Sequence, residues 1–138
     1  MRICLLAVAL LCSSQANAAE PAIHVVLEGK WIGNAPDETK ITYEFTKDGA
    51  ITWFVEEPNF MRAFPNGLKG KYKIRVADPA WQIDITDFDS PQFKEFQFLG
   101  IVTIINAKSF RMEGRPGQRP KKYGDDAVVF RAEEKAKQ

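Results

Sequence analysis

The sequence predicts a single all-β domain, a small up-and-down antiparallel β-barrel of about eight strands. Apolar and polar residues alternate with a period of two through most of the chain, which is typical of strands with one buried face. Turn residues recur at hairpin spacing, and an even number of strands with short turns favours a closed barrel over a Greek-key sandwich. Gly29 and Trp31 near the start, with Arg131 near the end, form a pattern that can close such a barrel.

These three residues are predicted to be structural. Gly29 would let the first strand bend across the barrel floor, where a Cβ would obstruct it. Trp31 would plug that floor, and Arg131 of the last strand would lie over the indole face, a cation–π contact worth roughly 0.5–2 kcal/mol. The pattern therefore predicts how the barrel closes and names no ligand.

Residues 1–18 are predicted to be a cleaved secretory signal peptide. Arg2 gives a positive start, residues 3–12 are an apolar run too short to span a bilayer, and Ala16-Asn17-Ala18 has the small-residue cleavage pattern. We therefore expect an exported protein, periplasmic or secreted. The barrel would occupy residues 19–132.

Residues 133–138 are predicted to be a charged flexible tail. Cleavage of the signal would change the inventory of reactive groups. Both cysteines, Cys4 and Cys12, lie in the signal, so the mature chain offers neither a disulfide nor a thiol nucleophile. Loss of Arg2 leaves 18 basic side chains (19 − 1) against 18 acidic ones. This balance predicts no strong attraction to nucleic acid or to an anionic membrane.

The first predicted hairpin follows residues 40–45, where one face of the strand is apolar. Lys47-Asp48-Gly49 is predicted to form a three-residue turn with the glycine in the left-handed conformation. Because register follows the buried face, this turn sets the pairs Phe45–Ile51, Tyr43–Trp53 and Ile41–Val55.

The clearest strand covers residues 68–76, apolar on one face and cationic on the other, with Lys69, Lys71, Lys73 and Arg75. After a turn at residues 77–80, the return strand would place Lys73 opposite Asp84 and Arg75 opposite Gln82. The cationic row suggests a binding face. A solvated barrel exterior, partly paired and worth a few tenths of a kcal/mol per pair, is the preferred interpretation.

The later strands are predicted from residues 96–105, which are apolar on both faces and contain Gly100. A glycine in that position suggests a bulge or a sharp bend. Asn106-Ala107-Lys108 would turn the chain into residues 109–113. A polar loop, residues 114–126, would then lead to the final strand at residues 127–132.

Six short motifs occur in order across nearly the whole mature chain: Leu27-x-Gly29-x-Trp31, Gly70-x-Tyr72, Ile83-Asp84-Ile85-Thr86, Gly100-Ile101, Arg119-Pro120 and Arg131. With them the chain resembles a lipocalin-like domain family, common in exported proteins of planctomycetes and other bacteria, with no assigned biochemical function. The resemblance implies a small calycin-type barrel and, more loosely, similarity to true lipocalins, which bind hydrophobic ligands. Val102 replaces an expected aromatic residue and no lipocalin disulfide is available, so ligand binding does not follow from the fold.

Catalysis has little support in the sequence. His24 is the only histidine, which excludes a histidine metal cluster, and Ser90 and Ser109 lie outside any nucleophile elbow. Three carboxylates are candidates for calcium ligands or for paired catalytic acids: Asp84, Asp87 and Asp89. Their spacing lacks the glycine and distal glutamate of the common calcium loop, so capping of backbone N–H groups is the preferred interpretation. We expect no enzyme, no metal and no cofactor.

One candidate contact loop is residues 115–122, which carry four cations stiffened by two prolines: Arg115, Arg119, Lys121 and Lys122. At the barrel rim these would hold an anionic group or an acidic partner. The preferred alternative is a crossover loop whose Arg119 pairs internally.

The second candidate loop is residues 58–65, where Phe60, Met61 and Phe64 are unusually apolar for a connection. They would form a lid over one barrel mouth, a patch for a protein partner, or a plug that closes the core.

Two functions follow from these loops. The first is a non-enzymatic exported barrel that binds a small apolar or amphipathic ligand inside, gated by residues 60–64. The alternative is a periplasmic or envelope protein-interaction module, a binder or inhibitor with a filled barrel that acts through its rim loops. The aromatic volume predicted to face inward favours a mostly filled barrel. We expect a monomer whose partner is a small apolar ligand or an envelope or extracellular protein, with no nucleic acid and no integral membrane span.

Overall fold

The computed structural model describes residues 27–133, which form a closed antiparallel barrel in which each strand pairs with the next and the last pairs with the first. The strands are β1 Gly29–Asn34, β2 Lys40–Phe45, β3 Ala50–Val55, β4 Leu68–Arg75, β5 Trp81–Thr86, β6 Phe98–Asn106, β7 Ser109–Pro116 and β8 Val128–Ala132. The predicted all-β barrel of about eight strands is confirmed. The predicted signal peptide, His24 and all but the first residue of the predicted tail lie outside the described residues.

The up-and-down order gives the barrel two different ends. At one end, which we call the floor, lie the start of β1, the end of β8 and the short turns β2–β3, β4–β5 and β6–β7. At the other end, the mouth, lie the short β1–β2 connection and the three longer connections that follow β3, β5 and β7. A helix, α1 (Pro58–Ala63), joins β3 to β4, and a 3-10 helix (Pro91–Phe93) lies between β5 and β6.

The register of the predicted hairpins is confirmed. Gly49 has a φ of 93°, the left-handed conformation that the three-residue turn requires. The strand pairs are those set by the buried face: Phe45–Ile51, Tyr43–Trp53, Ile41–Val55, Lys73–Asp84 and Arg75–Gln82.

A continuous column of aromatic rings fills the barrel from floor to mouth. In order along the column, neighbouring rings contact each other as follows: Trp31–Phe110 at 4.9 Å between centroids, Phe110–Phe130 at 5.1 Å, Phe130–Tyr43 at 4.7 Å, Tyr43–Trp53 at 5.6 Å and Trp53–Phe88 at 6.2 Å. Such pairs contribute about 0.5–1.5 kcal/mol each beyond the burial of their area. The rings therefore occupy the space in which a hollow barrel would hold a ligand.

Trp31 lies at the base of this column with 4% of its surface exposed. Its Nε1 donates a hydrogen bond of 2.9 Å to the carbonyl of Leu27, which is itself fully buried. The indole is thus both packed against Phe110 and tied to the chain segment that enters the floor.

The predicted stacking of Arg131 on this indole is wrong. Arg131 pairs with Ile32 of β1, whereas Trp31 pairs with Ala132. Because successive side chains point to opposite faces of a strand, exposed Arg131 lies on the outer face, across the sheet from the buried indole.

The predicted reasons for two glycines also need correction. A Cβ on Gly29 would meet nothing within 4 Å, so the residue is suited by its φ of 122° and not by a close approach. At Gly100 a Cβ would lie 2.9 Å from the carbonyl oxygen of Glu113, so close packing explains that glycine. The irregularity in β6 lies between Ile104 and Asn106 instead.

Replacing Trp31 tests the column at its base. We expect Trp31→Ala to lower the free energy of unfolding by roughly 3–5 kcal/mol, as large-to-small core substitutions do. Trp31→Phe keeps a ring against Phe110 but loses the bond to Leu27, so it should cost less. Urea denaturation measures both; a loss under about 1 kcal/mol for Trp31→Ala would mean that the indole does not support the core.

The hydroxyl of buried Tyr72 is expected to make the folded protein less stable at alkaline pH. Its hydroxyl donates to the carbonyl of Thr46 at 2.8 Å, and burial, with smaller contributions from the charges of Glu28 and Asp48, raises the pKa of Tyr72 to about 12. Above pH 10 the unfolded chain releases this proton while the folded protein retains it, so stability falls as pH rises from about 10 to 12.

Tyr72→Phe should flatten the dependence of the urea midpoint on pH in that interval. Burial also raises the pKa of Tyr43, so part of the alkaline slope should remain in the variant. An unchanged slope would contradict the assigned role of Tyr72.

Candidate functional site

Local capping builds α1 at the mouth. Pro58 occupies the first turn, where its missing N–H costs nothing. The Glu57 carboxylate accepts hydrogen bonds from the backbone N–H groups of Asn59 at 3.1 Å and Phe60 at 2.9 Å. These contacts satisfy two of the unpaired donors of the first turn and fix the direction in which the helix leaves β3.

Two aromatic residues of this segment close the mouth. Phe60 and Phe64 lie four residues apart on one side of the segment, with ring centroids 5.1 Å apart. Phe64 contacts Phe93 at 5.7 Å, and Phe93 contacts Phe88 at 6.4 Å, so the aromatic column continues into the connections above the barrel. The third apolar residue, Met61, is 52% exposed.

An open groove of about 510 Å³ lies beside α1 on the outside of the barrel wall. Its base is formed by Ile32, Thr42 and Phe54, one residue from each of β1, β2 and β3. These residues alternate with the inward-facing side chains of their strands, so the groove is separate from the lumen. The side wall comes from the α1 segment: Phe60, Met61, Phe64 and Pro65.

The rim of this groove is charged. Lys30 and Glu133 form an ion pair of 3.7 Å, and both side chains are 45% exposed. Lys40 and Glu56 also line the groove, and Lys40 forms no ion pair within the part of the chain that the structure describes. Glu56 forms no ion pair there either, and its backbone N–H donates to the Lys40 carbonyl at 2.9 Å. The groove thus combines an apolar base with a rim that carries two lysines and two carboxylates.

The connection between β7 and β8, residues 117–127, lies along the outer wall. Arg119 holds it there by donating from Nη1 to the carbonyl oxygens of Ile83 at 3.1 Å and Gly100 at 2.9 Å. Its Nη2 lies 2.5 Å from Asp84 Oδ1, and the same carboxylate pairs with Arg75 at 3.1 Å. Arg119 is therefore engaged within the fold.

A second anchor of this connection is Glu113, whose side chain on the outer face of β7 is fully covered. Its carboxylate accepts a 2.7 Å hydrogen bond from the backbone N–H of Gly124 and forms an ion pair of 3.3 Å with Arg115.

Tyr123 is a third point of contact between this connection and the wall. The Arg111 guanidinium lies 4.1 Å from the centre of the Tyr123 ring. Burial raises the pKa of the Tyr123 hydroxyl, which forms a hydrogen bond of 2.7 Å with the hydroxyl of Thr103.

The structure separates the residues predicted to contact a ligand or partner. Arg115 pairs with a buried carboxylate, and Arg119 holds the connection to the wall. Lys121 and Lys122 are exposed and form no ion pair among residues 27–133. The four cations therefore do not act as one cluster, and a contact role for the two lysines stays a prediction.

A wider depression of about 800 Å³ lies at the floor, and most of the residues around it are charged: Glu28, Lys30, Glu44, Lys47, Asp48 and Glu133. The described residues contain no group of His, Cys, Asp or Glu placed to hold a metal ion. Ser109 is buried in β7, and Ser90 precedes the 3-10 helix. The groove beside α1 is therefore the best candidate site in the described part of the chain.

Comparison with known proteins gives no match: no family model, no curated protein and no solved structure is significantly similar to this chain. The lipocalin-like resemblance accordingly stays a prediction from the motifs. Within residues 27–133, no helix is long and apolar enough to span a membrane.

The groove was not predicted from the sequence, although apolar residues at outward-facing positions of two strands indicate it. Ile32 and Phe54 stand at positions where the alternation of their strands requires outward-facing, normally polar residues. Apolar residues at outward positions indicate that something covers the outer wall there, and the α1 segment does.

Removing the Arg119 anchor should loosen the connection that it holds. We expect Arg119→Ala to destabilise the protein by roughly 2–4 kcal/mol, because it leaves Asp84 partly buried with one fewer partner. Amide hydrogen exchange in residues 117–127 should accelerate. Lys122→Ala, in the same connection but exposed and without an ion pair among these residues, is the control; equal exchange in both variants would contradict the anchor.

Proposed function

We propose that this protein is a non-enzymatic binding protein that holds a small amphipathic ligand, with an anionic end, in the outer groove beside α1. The groove of about 510 Å³, with its apolar base and unpaired Lys40, carries this proposal. Its volume lies within the range of roughly 300–1,000 Å³ typical of small-molecule sites.

The packing of the lumen supports a site outside the barrel. A ligand inside would have to displace contacting rings such as Tyr43 and Phe130, whose centroids are 4.7 Å apart. Protein interiors pack at the density of organic crystals, and opening such a space forfeits those contacts. A ligand in the groove displaces only solvent.

The chemistry of the groove supports an amphipathic molecule. An apolar chain would cover Ile32 and Phe54 and contact the exposed side of Met61. Burial of apolar area contributes about 25 cal/mol per Å². A carboxylate or phosphate at one end would pair with Lys40, which forms no ion pair among the described residues, Glu56 beside it included.

Export and membership of the lipocalin-like family remain part of this proposal. The pattern of residues 1–18 supports the first, and the order of the six motifs supports the second. A small soluble ligand or a lipid-derived molecule in the envelope or the medium would then be the natural occupant of the groove.

A second candidate function is an interaction module that accepts apolar side chains of a partner protein in the same groove. The observation that favours it is Met61, which is 52% exposed at the groove wall. Methionine is over-used at surfaces that adapt to several partners.

Filling the groove with a large side chain tests the proposed site. In Thr42→Trp the indole would lie on the groove base, and we expect the affinity for a dansyl-labelled fatty acid, measured by fluorescence titration, to fall at least about tenfold, or 1.4 kcal/mol. Glu44→Trp is the matched control, since Glu44 lies on the same face of β2 but lines the floor depression and not the groove.

A second variant tests whether Lys40 binds the anionic end of the ligand. Lys40→Gln should weaken binding of the labelled acid but leave binding of the corresponding labelled alcohol unchanged. Equal binding by Thr42→Trp and wild type would move the site elsewhere. Failure of the wild-type protein to bind the labelled acid would contradict the amphipathic ligand and favour the interaction module.

A further inference from the structure

The outer face of β4 carries a row of four cations, of which only Arg75 forms an ion pair among the described residues. Lys69, Lys71, Lys73 and Arg75 are all exposed, while the residues between them turn inward. Alternate residues of a strand lie about 6.7 Å apart, so the row extends over about 20 Å in a straight line. We call these four residues the β4 strip.

The residues opposite the β4 strip on the neighbouring strands are mostly uncharged. On the β3 side, Ala50 lies opposite Lys71 and Thr52 opposite Lys69. On the β5 side the residues opposite the strip are Thr86, Asp84 and Gln82.

Asp84, the carboxylate opposite Lys73, is already held by two arginines. Arg119 lies 2.5 Å from one of its oxygens and Arg75 lies 3.1 Å from the other. The three lysines consequently form no ion pair within residues 27–133. Asp87 and Asp89 follow β5. Asp89 lies beside Lys69, since its backbone N–H donates to the Lys69 carbonyl at 2.9 Å, but neither carboxylate forms an ion pair with a lysine of the strip.

The separation of charge is local, because the predicted mature chain is neutral overall with 18 basic and 18 acidic side chains after loss of Arg2 from the 19. A row of like charges at strand spacing is mutually repulsive, and the bound state that relieves it brings anionic groups at a similar spacing. A linear polyanion meets this requirement with a single chain laid along β4.

We propose that the β4 strip binds an acidic polysaccharide, a linear glycan that carries sulfate, phosphate or carboxylate groups. The side chains beside the strip favour a glycan over a single-stranded nucleic acid. Thr52, Thr86 and Gln82 offer hydroxyl and amide groups suited to sugar hydroxyls, whereas none of the residues directly opposite the strip is aromatic. Single-stranded nucleic acids are usually held by bases stacked on aromatic rings.

This surface is independent of the groove beside α1, which is lined by residues of β1, β2, β3 and the α1 segment with Glu133. The two sites therefore succeed or fail separately. The two surfaces are adjacent, because β3 lies between them, but they share no residue. A protein with both would hold a small ligand in the groove while β4 is retained on an acidic glycan.

The test uses dextran sulfate as the probe and neutral dextran as its uncharged match. The strip variant combines three substitutions: Lys69→Gln, Lys71→Gln and Lys73→Gln. The control variant removes the same charge from exposed lysines elsewhere: Lys47→Gln, Lys108→Gln and Lys122→Gln. Arg75 is kept in both variants so that its pair with Asp84 remains.

We expect the strip variant to bind immobilised dextran sulfate at least about tenfold more weakly than wild type, with a shallower dependence of affinity on salt. The control variant should lose less than about threefold. Replacing the same three lysines with arginine should restore binding, because the charges and their spacing return. Thermal unfolding shows whether all variants fold alike.

Three results would overturn the proposal. One is equal loss in the strip and control variants, which would mean diffuse attraction of any cation to the polymer. Another is strip-dependent binding that is stronger to oligo(dT) than to dextran sulfate. The last is strip-dependent binding to phosphatidylglycerol vesicles without binding to dextran sulfate, which would assign the strip to a membrane surface.

Discussion

The aromatic column inside the barrel is the constraint on which the rest of the structure depends. Trp31, Phe110, Phe130, Tyr43 and Trp53 follow one another through the lumen with neighbouring centroids 4.7–5.6 Å apart. An eight-stranded barrel is just wide enough to be filled by side chains or to hold one small ligand, and here the side chains take the space. The column also constrains the register of the five strands that supply its rings, β1, β2, β3, β7 and β8, because a shift of one residue would turn the ring of that strand outward.

Because the lumen is filled by side chains, we expect a ligand or partner to bind on the outside of the barrel. The outer wall carries several specific contacts. The connection after β7 is fastened by Arg119 to two strand carbonyls and to Asp84, with a covered Glu113 as a second anchor. The α1 segment covers another part of the wall and forms the groove over Ile32 and Phe54. Asp84 links these features to the β4 strip: because two arginines hold it, the lysines of that strip are left without a partner among the described residues.

The local sequence pattern was sufficient to predict the strands and their register, but it did not predict the side-chain contacts on the outer wall. Alternation and the Lys47-Asp48-Gly49 turn predicted the β2–β3 register, since both depend on neighbouring residues and on which face is buried. The internal pairing of Arg119 was the preferred interpretation of its loop, but its partners, Ile83 and Gly100, are 36 and 19 residues away and no local spacing identifies them. The predicted stacking of Arg131 on Trp31 was wrong for a related reason. The pairing of β8 with β1 places Arg131 beside Ile32 on the outer face, and only the closed barrel shows that pairing.

The solid lumen is tested most directly by xenon, which enters dry apolar cavities but not close-packed cores. With the isoleucine methyl groups ¹³C-labelled, the spectra of the protein can be followed as xenon pressure rises. The account predicts no saturable shift for Ile83 and Ile85, both fully buried in the barrel, while Ile32 in the outer groove serves as the solvent-accessible reference. A saturable shift of Ile83 or Ile85 would reveal a cavity among the rings and contradict the account.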